Sequence, residues 1–589
     1  MGMEHGGAVI ARQLASHGVR HLFTLCGGHI SPILTGSADN GIAVVDVRDE
    51  ASAVFAADAM ARMTGIPGVA AVTAGPGVTN TMTAVKNAQM AESPIIILGG
   101  ATATMLKGRG SLQDIDQMSL MAPVTKWCTT ARTVKSLPAL IDRAVHVATE
   151  GVPGPVFIEI PVDLLYPEET VKEWYMAESG VDRMKGPAAI AVKTYLQGHL
   201  TRLFHAPHVD TSLGERAVDK GKQLARAPYQ SAQAAQVARK VEAAKKPVLI
   251  VGSQALVNFS PAKAAQLADA IERLGMPTFL GGTARGLLGR RSDIQFRHKR
   301  SKALREADVV IVAGFPFDFR LGYGQKINRK GTLVSANLDP VALRKNRRPD
   351  VAVQQHPGEF VIELARRAAH PGHGWATWFE QLAERERARD AEIHAKGAHD
   401  GEHVHPIRFF EAMEEAMGPE DVLVVDGGDF VATGAYVLRP RAPLSWLDPG
   451  VFGTLGVGGG FALGAALARP DAQTWLVWGD GSSAYSLAEY DTYVRHGLAP
   501  IAVIGLDASW QQIARDQITI LGTTLGCDLR HTAYHDVAKG YGGEGILVTS
   551  EDEIEGAIAR AKELAAGGTP VVINIHLAES DFREGSMSM

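Results

Sequence analysis

Thr474-Trp475-Leu476-Val477-Trp478-Gly479-Asp480-Gly481-Ser482 and, further on, Pro500-Ile501-Ala502-Val503-Ile504-Gly505-Leu506-Asp507-Ala508-Ser509-Trp510 decide how this chain folds. Each is an apolar run of strand length that leads into an aspartate. Between them 486–494 reads as a helix, so the spacing predicts a strand, helix, strand unit with Asp480 and Asp507 at the carboxyl ends of parallel strands. Ligands of open α/β sheets bind at that edge. Two carboxylates a strand spacing apart, beside Gly and Ser that let backbone groups approach, suit a hard divalent cation carrying a diphosphate, Mg²⁺ first. The same aspartates also serve as helix caps and turn formers, and on this stretch alone both uses stand.

The alternation extends outward through the chain. Apolar runs at 21–25, 43–47, 69–73, 95–98 and 156–160 alternate with helical segments, as do those at 247–252, 277–280, 308–313 and 331–337, and a third series starts near 406 with 422–425. Such alternation predicts parallel sheets covered by helices on both faces. The expected fold is α/β, with three doubly wound parallel-sheet domains at 1–180, 236–370 and 406–577. An insertion or linker at 181–235, a linker at 371–405 with a break at 371–374 and a charged helix from Trp375, and a tail at 578–589 complete the chain. Within the charged 168–230 region, Tyr195, Leu196, Leu200, Leu203 and Phe204 recur at helical spacing, an apolar stripe expected to dock on its own protein.

Composition bounds the function. Hydrophobic residues at 46% and charged residues at 21% describe an ordinary globular protein, and 59 basic against 64 acidic side chains give a net charge of -5, which offers nucleic acid no partner. Cys26, Cys128 and Cys527 form no CxxC pair, so neither a disulfide framework nor a zinc knuckle is expected. No run reaches bilayer length and 1–15 lacks the apolar core of a signal peptide, so a cytoplasmic location without a membrane span is expected.

Gly-rich turns follow several strands: Gly27-Gly28-His29, Gly75-Pro76-Gly77 and Gly99-Gly100. Glu50 opens the apolar helix after the second strand, either as a first-turn acid facing the helix dipole or as a buried acid for proton transfer. Arg285, Arg290, Arg291, Arg297, Lys299, Arg300, Lys302 and Arg305 follow a strand and Gly281-Gly282, either as a solvated face or as a site for phosphates of a nucleotide-like ligand. A nicotinamide fingerprint fails, because GxGxxG set on Gly456 and Gly458 puts Phe461 at its last glycine.

Taken together, Gly479-Asp480-Gly481 with Asp507, Glu50, Gly75-Pro76-Gly77 with Asn80, and Phe452-Gly453-Thr454-Leu455-Gly456 resemble the thiamine-diphosphate-dependent decarboxylases and lyases, in their order of pyrimidine-binding, central and diphosphate-binding domains. Gly27-Gly28-His29-Ile30-Ser31-Pro32, Trp446-Leu447-Asp448-Pro449-Gly450 and Asp581-Phe582-Arg583 are most similar to the 2-hydroxyacyl-CoA lyases, in their acetolactate-synthase-like branch. The resemblance implies thiamine diphosphate and Mg²⁺ as cofactors. It implies that Glu50 hydrogen-bonds N1' of the pyrimidine from an apolar-walled, partly protonated site, with Pro76 and Asn80 beside it. The Gly453 carbonyl would accept from the 4'-amino group, and Leu455, a methionine in many relatives, would wedge beneath the bent cofactor. Asp480, Asp507 (commonly asparagine) and the Ser509 carbonyl would hold the metal; Asp429, Phe430, Gly481, Ser482 and Trp510 would surround the diphosphate with backbone or hydroxyl donors.

His29 and Gln113 match positions that face the reacting carbon, His29 for proton transfer with the substrate hydroxyl. The activity implied is cleavage of 2-hydroxyacyl-CoA to formyl-CoA and an aldehyde or ketone, with the reverse condensation. An acetolactate-synthase-like carboligase of 2-oxo acids is the alternative, and a non-catalytic CoA- or nucleotide-binding protein the one from another class. Acyl-CoA would enter past the central domain and the tail, a candidate lid over the site. The family's split cofactor site implies a homodimer or homotetramer with active sites at subunit interfaces.

Overall fold

The structure is a computed structural model that describes residues 5–206, 232–369, 374–398 and 401–584. The expected break at 371–374 lies outside these residues but for Gly374, as do 207–231 of the insertion and 585–589 of the tail. Two compact units divide the chain: 1–61 with 66–223, and 62–65 with 224–589.

The first unit is built on β1 (His21–Thr24), β2 (Ala43–Asp46), β3 (Gly68–Val72), β4 (Ile95–Ala101), β5 (Trp127–Thr130) and β6 (Val156–Pro161). Their order is β2-β1-β3-β4-β6-β5, every pair parallel. β3, β4 and β6 are buried along their whole length, as central strands covered on both faces must be. The insertion stripe docks on this unit: Leu196, Leu200 and Leu203 of the helix Pro187–His205 join its core, whereas Tyr195 stays 63% exposed. Thr104, Asp163, Tyr175 and His199 form the polar part of that contact, with the Tyr175 hydroxyl and the Thr104 hydroxyl both donating to Asp163.

The second unit holds two sheets. β7 (Pro247–Val251), β8 (Thr278–Leu280), β9 (Val309–Ala313), β10 (Thr332–Ala336) and β11 (Val351–Val353) lie in the order β11-β10-β9-β7-β8. β12 (Val422–Val425), β13 (Trp446–Leu447), β14 (Thr474–Gly479), β15 (Ile501–Leu506), β16 (Glu544–Val548) and β17 (Val571–His576) lie in the order β13-β12-β14-β15-β17-β16. All are parallel, and this last order repeats, strand for strand, that of the first unit. The charged helix Ala376–Lys396 is tied to the central sheet through two buried indoles, Trp375 Nε1 donating to the Ala244 carbonyl and Trp378 Nε1 to that of Pro247.

In both six-stranded sheets the chain reverses direction of winding between the first and third strands. That switch point leaves a crevice at the carboxyl ends. Glu50 and the 27–29 and 75–77 turns stand at this edge of one sheet; Asp426 to Asp429, Asp480 and Asp507 stand at it in the other.

Candidate active site

The first unit gathers its candidates around Thr73. Glu50 is the first residue of the helix Glu50–Thr64 and only 6% exposed. Asn80 Nδ2 donates to its Oε2 at 3.0 Å. Its Oε1 faces Gly77, where a Cβ would stand 3.5 Å away and press on Thr73 at 2.8 Å. Thr73 Oγ1 lies 3.3 Å from His29 Nδ1, and burial of this partly covered imidazole lowers its pKa, so near neutrality it is uncharged and able to take a proton. Pro76 begins a short helix behind Gly75, whose φ of 63° requires glycine, as does the close approach of Gln113: a Cβ on Gly75 would stand 2.9 Å from that of Gln113. Gln113 itself sits at φ 62°.

Two residues that the sequence did not suggest hold this edge in place. Gln117 accepts from the Gly75 N–H at 2.9 Å and donates to the Gly100 carbonyl and to Glu159. Glu159, 1% exposed, also receives Lys107 at 2.6 Å and the Thr130 hydroxyl. The only signal for this pair was an acid inside the apolar run 156–160.

In the second unit the metal candidates meet. Asp480 opens the short helix Asp480–Ser483 directly after β14, and the helix expected at 486–494 begins later, as Glu489–Arg495, after a turn at 484–488. Asp480 Oδ1 accepts from the Gly481 N–H at 2.7 Å, while its Oδ2 is buried without a hydrogen bond. Burial raises Asp480 to about 6. Asp507 rises to about 7, through burial first and then through the charges of Asp480 and Asp429. The loop beyond it is pinned by Trp510 N–H to the Cys527 carbonyl and Leu529 N–H to that of Ala508, which leaves the Ser509 carbonyl out of the bridge. Two adjacent carboxylates, one with an orphaned buried oxygen, are a donor set that fits a hard cation.

The diphosphate candidates divide into those with free donors and those without. Asp429 and Phe430 open the helix Asp429–Val437, whose cap, Gly428, has no side chain, so the first-turn amides are available to an anion. Phe430 packs its ring on Gly505, and Leu455 packs on Gly427. Ser482 is different: its hydroxyl hydrogen is directed at the Gly427 or Gly479 carbonyl. Trp510 must be corrected as a backbone donor, because its N–H is spent on Cys527; it contributes its ring, which lies where any side chain on Gly481 would stand, 2.4 Å from a Cβ there. Gly453 is exposed at φ 65° with open space around it. Beneath this turn lies Asp426, 3% exposed, accepting from Gly456 N–H at 3.1 Å, Gly458 N–H at 2.8 Å and Trp478 Nε1 at 3.2 Å. Burial pushes it up to about 7 against these three donors.

Residues 4–120 match the family described as thiamine pyrophosphate enzyme, N-terminal TPP binding domain; residues 234–364 match its central domain and 426–575 its C-terminal TPP binding domain. The chain is 46% identical over 607 residues to 2-hydroxyacyl-CoA lyase 2 of Danio rerio, covering 99% of this chain and 93% of that protein. The chain belongs to the thiamine pyrophosphate enzymes. 2-Hydroxyacyl-CoA lyase 2 of Homo sapiens is 45% identical, with 100% and 92% covered. An acetolactate synthase large subunit of Mycobacterium tuberculosis is more distant, 34% identical with 97% and 95% covered.

This thiamine pyrophosphate enzyme has a cation-lined cavity of about 630 Å³ in its second unit. Arg285, Arg297, Arg300, Arg389, Arg439 and Lys299 line it, so part of the arginine run faces inward rather than toward solvent. Arg297 Nη2 donates to the Tyr436 carbonyl at 2.7 Å and the Leu438 carbonyl at 3.1 Å, and Arg285 Nη1 to that of Ala435. Yet Arg285 Nε and Arg297 Nη1 are buried with no hydrogen bond. Burial, with Arg439 and Arg285 nearby, brings Arg297 down to about 10. The tail reaches this region: Phe582, 8% exposed, packs with Ile393 and Ile407 and stands edge-on to Tyr436 at 5.5 Å. No helix among the described residues is long and apolar enough to cross a membrane.

Proposed function

We propose that this protein cleaves 2-hydroxyacyl-CoA thioesters to formyl-CoA and an aldehyde or ketone, and runs the reverse condensation, using thiamine diphosphate and Mg²⁺. The observation that carries the acyl-CoA reading over the 2-oxo acid reading is the arginine cavity. Two buried guanidinium N–H groups without partners, among six cationic side chains, suit the phosphates of CoA, which a small 2-oxo acid substrate lacks. The names and coverage of the lyase relatives agree with it.

When bound, thiamine diphosphate would supply a nucleophilic carbon and an electron sink for the carbon–carbon bond to be broken. The residues of the chain do the rest. Glu50, fixed by Asn80 and walled by the apolar helix face behind it, is the acid for N1' of the pyrimidine. Gly453 and Leu455, at an open turn held from below by Asp426, fit the bend of the cofactor. Asp480, Asp507 and the Ser509 carbonyl are the metal ligands, and the amides of Asp429 and Phe430 receive the diphosphate. His29, uncharged and next to Thr73, takes the proton of the substrate hydroxyl at Nε2, and Gln113, held against Gly75, is assigned to the same reacting carbon. The pyrimidine and diphosphate halves belong to separate units, and we assign the complete site to two copies of the chain, in a homodimer that pairs into a homotetramer in the cytoplasm.

Purified protein with Mg²⁺ and thiamine diphosphate, incubated with a panel of 2-hydroxyacyl-CoA thioesters, is expected to release formyl-CoA. Turnover of pyruvate to acetolactate, with no thioester cleaved, would overturn the assignment. Sedimentation should give a dimer or tetramer; an active monomer at high dilution contradicts the shared site.

A further inference from the structure

The diphosphate edge carries three carboxylates, Asp429, Asp480 and Asp507, and the charges of the first two both raise the third. A bound Mg²⁺ would offset Asp480 and Asp507, which leaves Asp429 at the mouth of the helix that is to receive an anion. Its side chain is only 12% exposed and is not left alone. Arg515 Nη2 lies 2.6 Å from Asp429 Oδ2, and Arg583 Nε lies 3.7 Å from Oδ1. Arg515 Nη1 also donates to the Arg583 backbone carbonyl at 3.1 Å, so the two arginines hold each other as well as the acid.

The placement of these arginines is specific. Arg515 stands on the helix Gln511–Leu521, which begins directly after the metal loop and buries only Ala514, so its position is not fixed by a packed apolar face. Arg583 belongs to the carboxyl-terminal segment, anchored by its buried neighbour Phe582, and its guanidinium lies over the Tyr436 ring at 5.6 Å. Arg515 Nη2, Arg583 Nε and Asp429 Oδ1 are all buried without a hydrogen bond, although they lie at ion-pair distance. Two guanidinium groups thus face one carboxylate, which leaves the cluster a positive charge in excess, and it has hydrogen-bonding capacity left over. A cavity of about 120 Å³ lies between Asp429 and Asp507.

We infer that Arg515 and Arg583 neutralise Asp429 and thereby set the affinity of this edge for a diphosphate, which makes the carboxyl-terminal segment part of the cofactor cradle. The inference rests on the reading of the edge as a thiamine diphosphate site. Both arginines are positioning residues acting through Asp429. Without either, the cluster falls from a positive charge to neutral and draws the incoming anion less, and interactions with a charged group are worth about a factor of ten or more in affinity.

The test is calorimetric titration of thiamine diphosphate into the full-length protein at saturating Mg²⁺. Arg515→Gln and Arg583→Gln are each expected to weaken binding by about tenfold or more. Asp429→Asn in the Arg515→Gln background is expected to restore it to within about threefold of wild type, because the charge to be neutralised is gone; loss of a merely structural contact would not be rescued. Unchanged affinity in both single variants, or a double variant as weak as Arg515→Gln, overturns the inference. Should Arg515→Gln not fold, Arg583→Gln with and without Asp429→Asn makes the same comparison. No binding to the wild-type protein would instead overturn the reading of the site itself.

Discussion

Lowering the pH from 8 to 6 should weaken Mg²⁺ binding by an amount the site fixes. Asp507 titrates at about 7 and Asp480 at about 6, both raised chiefly by burial. A cation needs both charged. At pH 6 the first is roughly nine-tenths protonated and the second half protonated, so about one molecule in twenty presents the full ligand pair; at pH 8 nearly all do. The expected loss is therefore about twentyfold. In Asp507→Asn only Asp480 titrates, and the loss shrinks to about twofold. Because the diphosphate itself also titrates in this range, the comparison of the two proteins, not either alone, carries the result.

The measurement is Mg²⁺ titration in the presence of thiamine diphosphate, followed by calorimetry at several pH values. The sign extends to stability. Both folded-state values lie above the ordinary 3.8, so the cation-free fold holds more protons than the unfolded chain from about pH 4 to 7 and loses stability as pH rises through that window. Added Mg²⁺ should restore it at pH 8. An equal pH dependence in wild type and Asp507→Asn would refute the assignment of Asp507 as a metal ligand.

Three further outcomes are expected. Glu50→Gln should abolish turnover and leave thiamine diphosphate affinity within about threefold, as read by single-turnover assay and calorimetry; activity retained at the wild-type level removes Glu50 from its role. His29→Ala should lower kcat by roughly 10²- to 10⁴-fold with cofactor binding unchanged, and the pH profile of kcat/KM should lose its acidic limb; a profile of unaltered shape speaks against proton transfer at His29. Gly481→Ala places a methyl 2.4 Å from the Trp510 ring, so the ring must move, at a cost of about 1–3 kcal/mol, and weaker cofactor binding should accompany a change in tryptophan emission.

The placing of Asp480, Asp507 and Glu50 at the carboxyl edge of the sheets was legible in the sequence because its signal is local: an apolar run of strand length, then an acid beyond it. The three parallel sheets were legible for the same reason. Strands β5, β11, β13 and β16 were not foreseen, and all four are at sheet edges, where one side needs no apolar cover and the run is short or mixed, as in Trp127-Cys128-Thr129-Thr130. β17 was passed over although its run is apolar, interrupted by Asn574. The strand order shared by the two six-stranded sheets could not be read, since crossover choice leaves no mark in a single sequence.

Site residues that act across long separations were equally hidden. Gln117 reaches Gly75 from 42 positions away, and Arg515 reaches the Arg583 carbonyl over 68. Trp510 shows the converse: its place in the motif suggested a donor, but only the pairing of its loop with 527–529 reveals that the N–H is already used. The arginine run left two uses open, and side-chain direction, which the sequence does not carry, puts part of it around a cavity.

Asp426 bears on how such a chain can change over generations. One carboxylate receives Gly456, Gly458 and Trp478, and a Cβ on Gly458 would stand 2.2 Å from the Trp478 indole nitrogen and 3.0 Å from the acid. Loss of the acid would leave three buried donors without their acceptor, and a side chain on Gly458 would displace the indole. Among descendants that keep this turn, Asp426, Gly458 and Trp478 should therefore be inherited together.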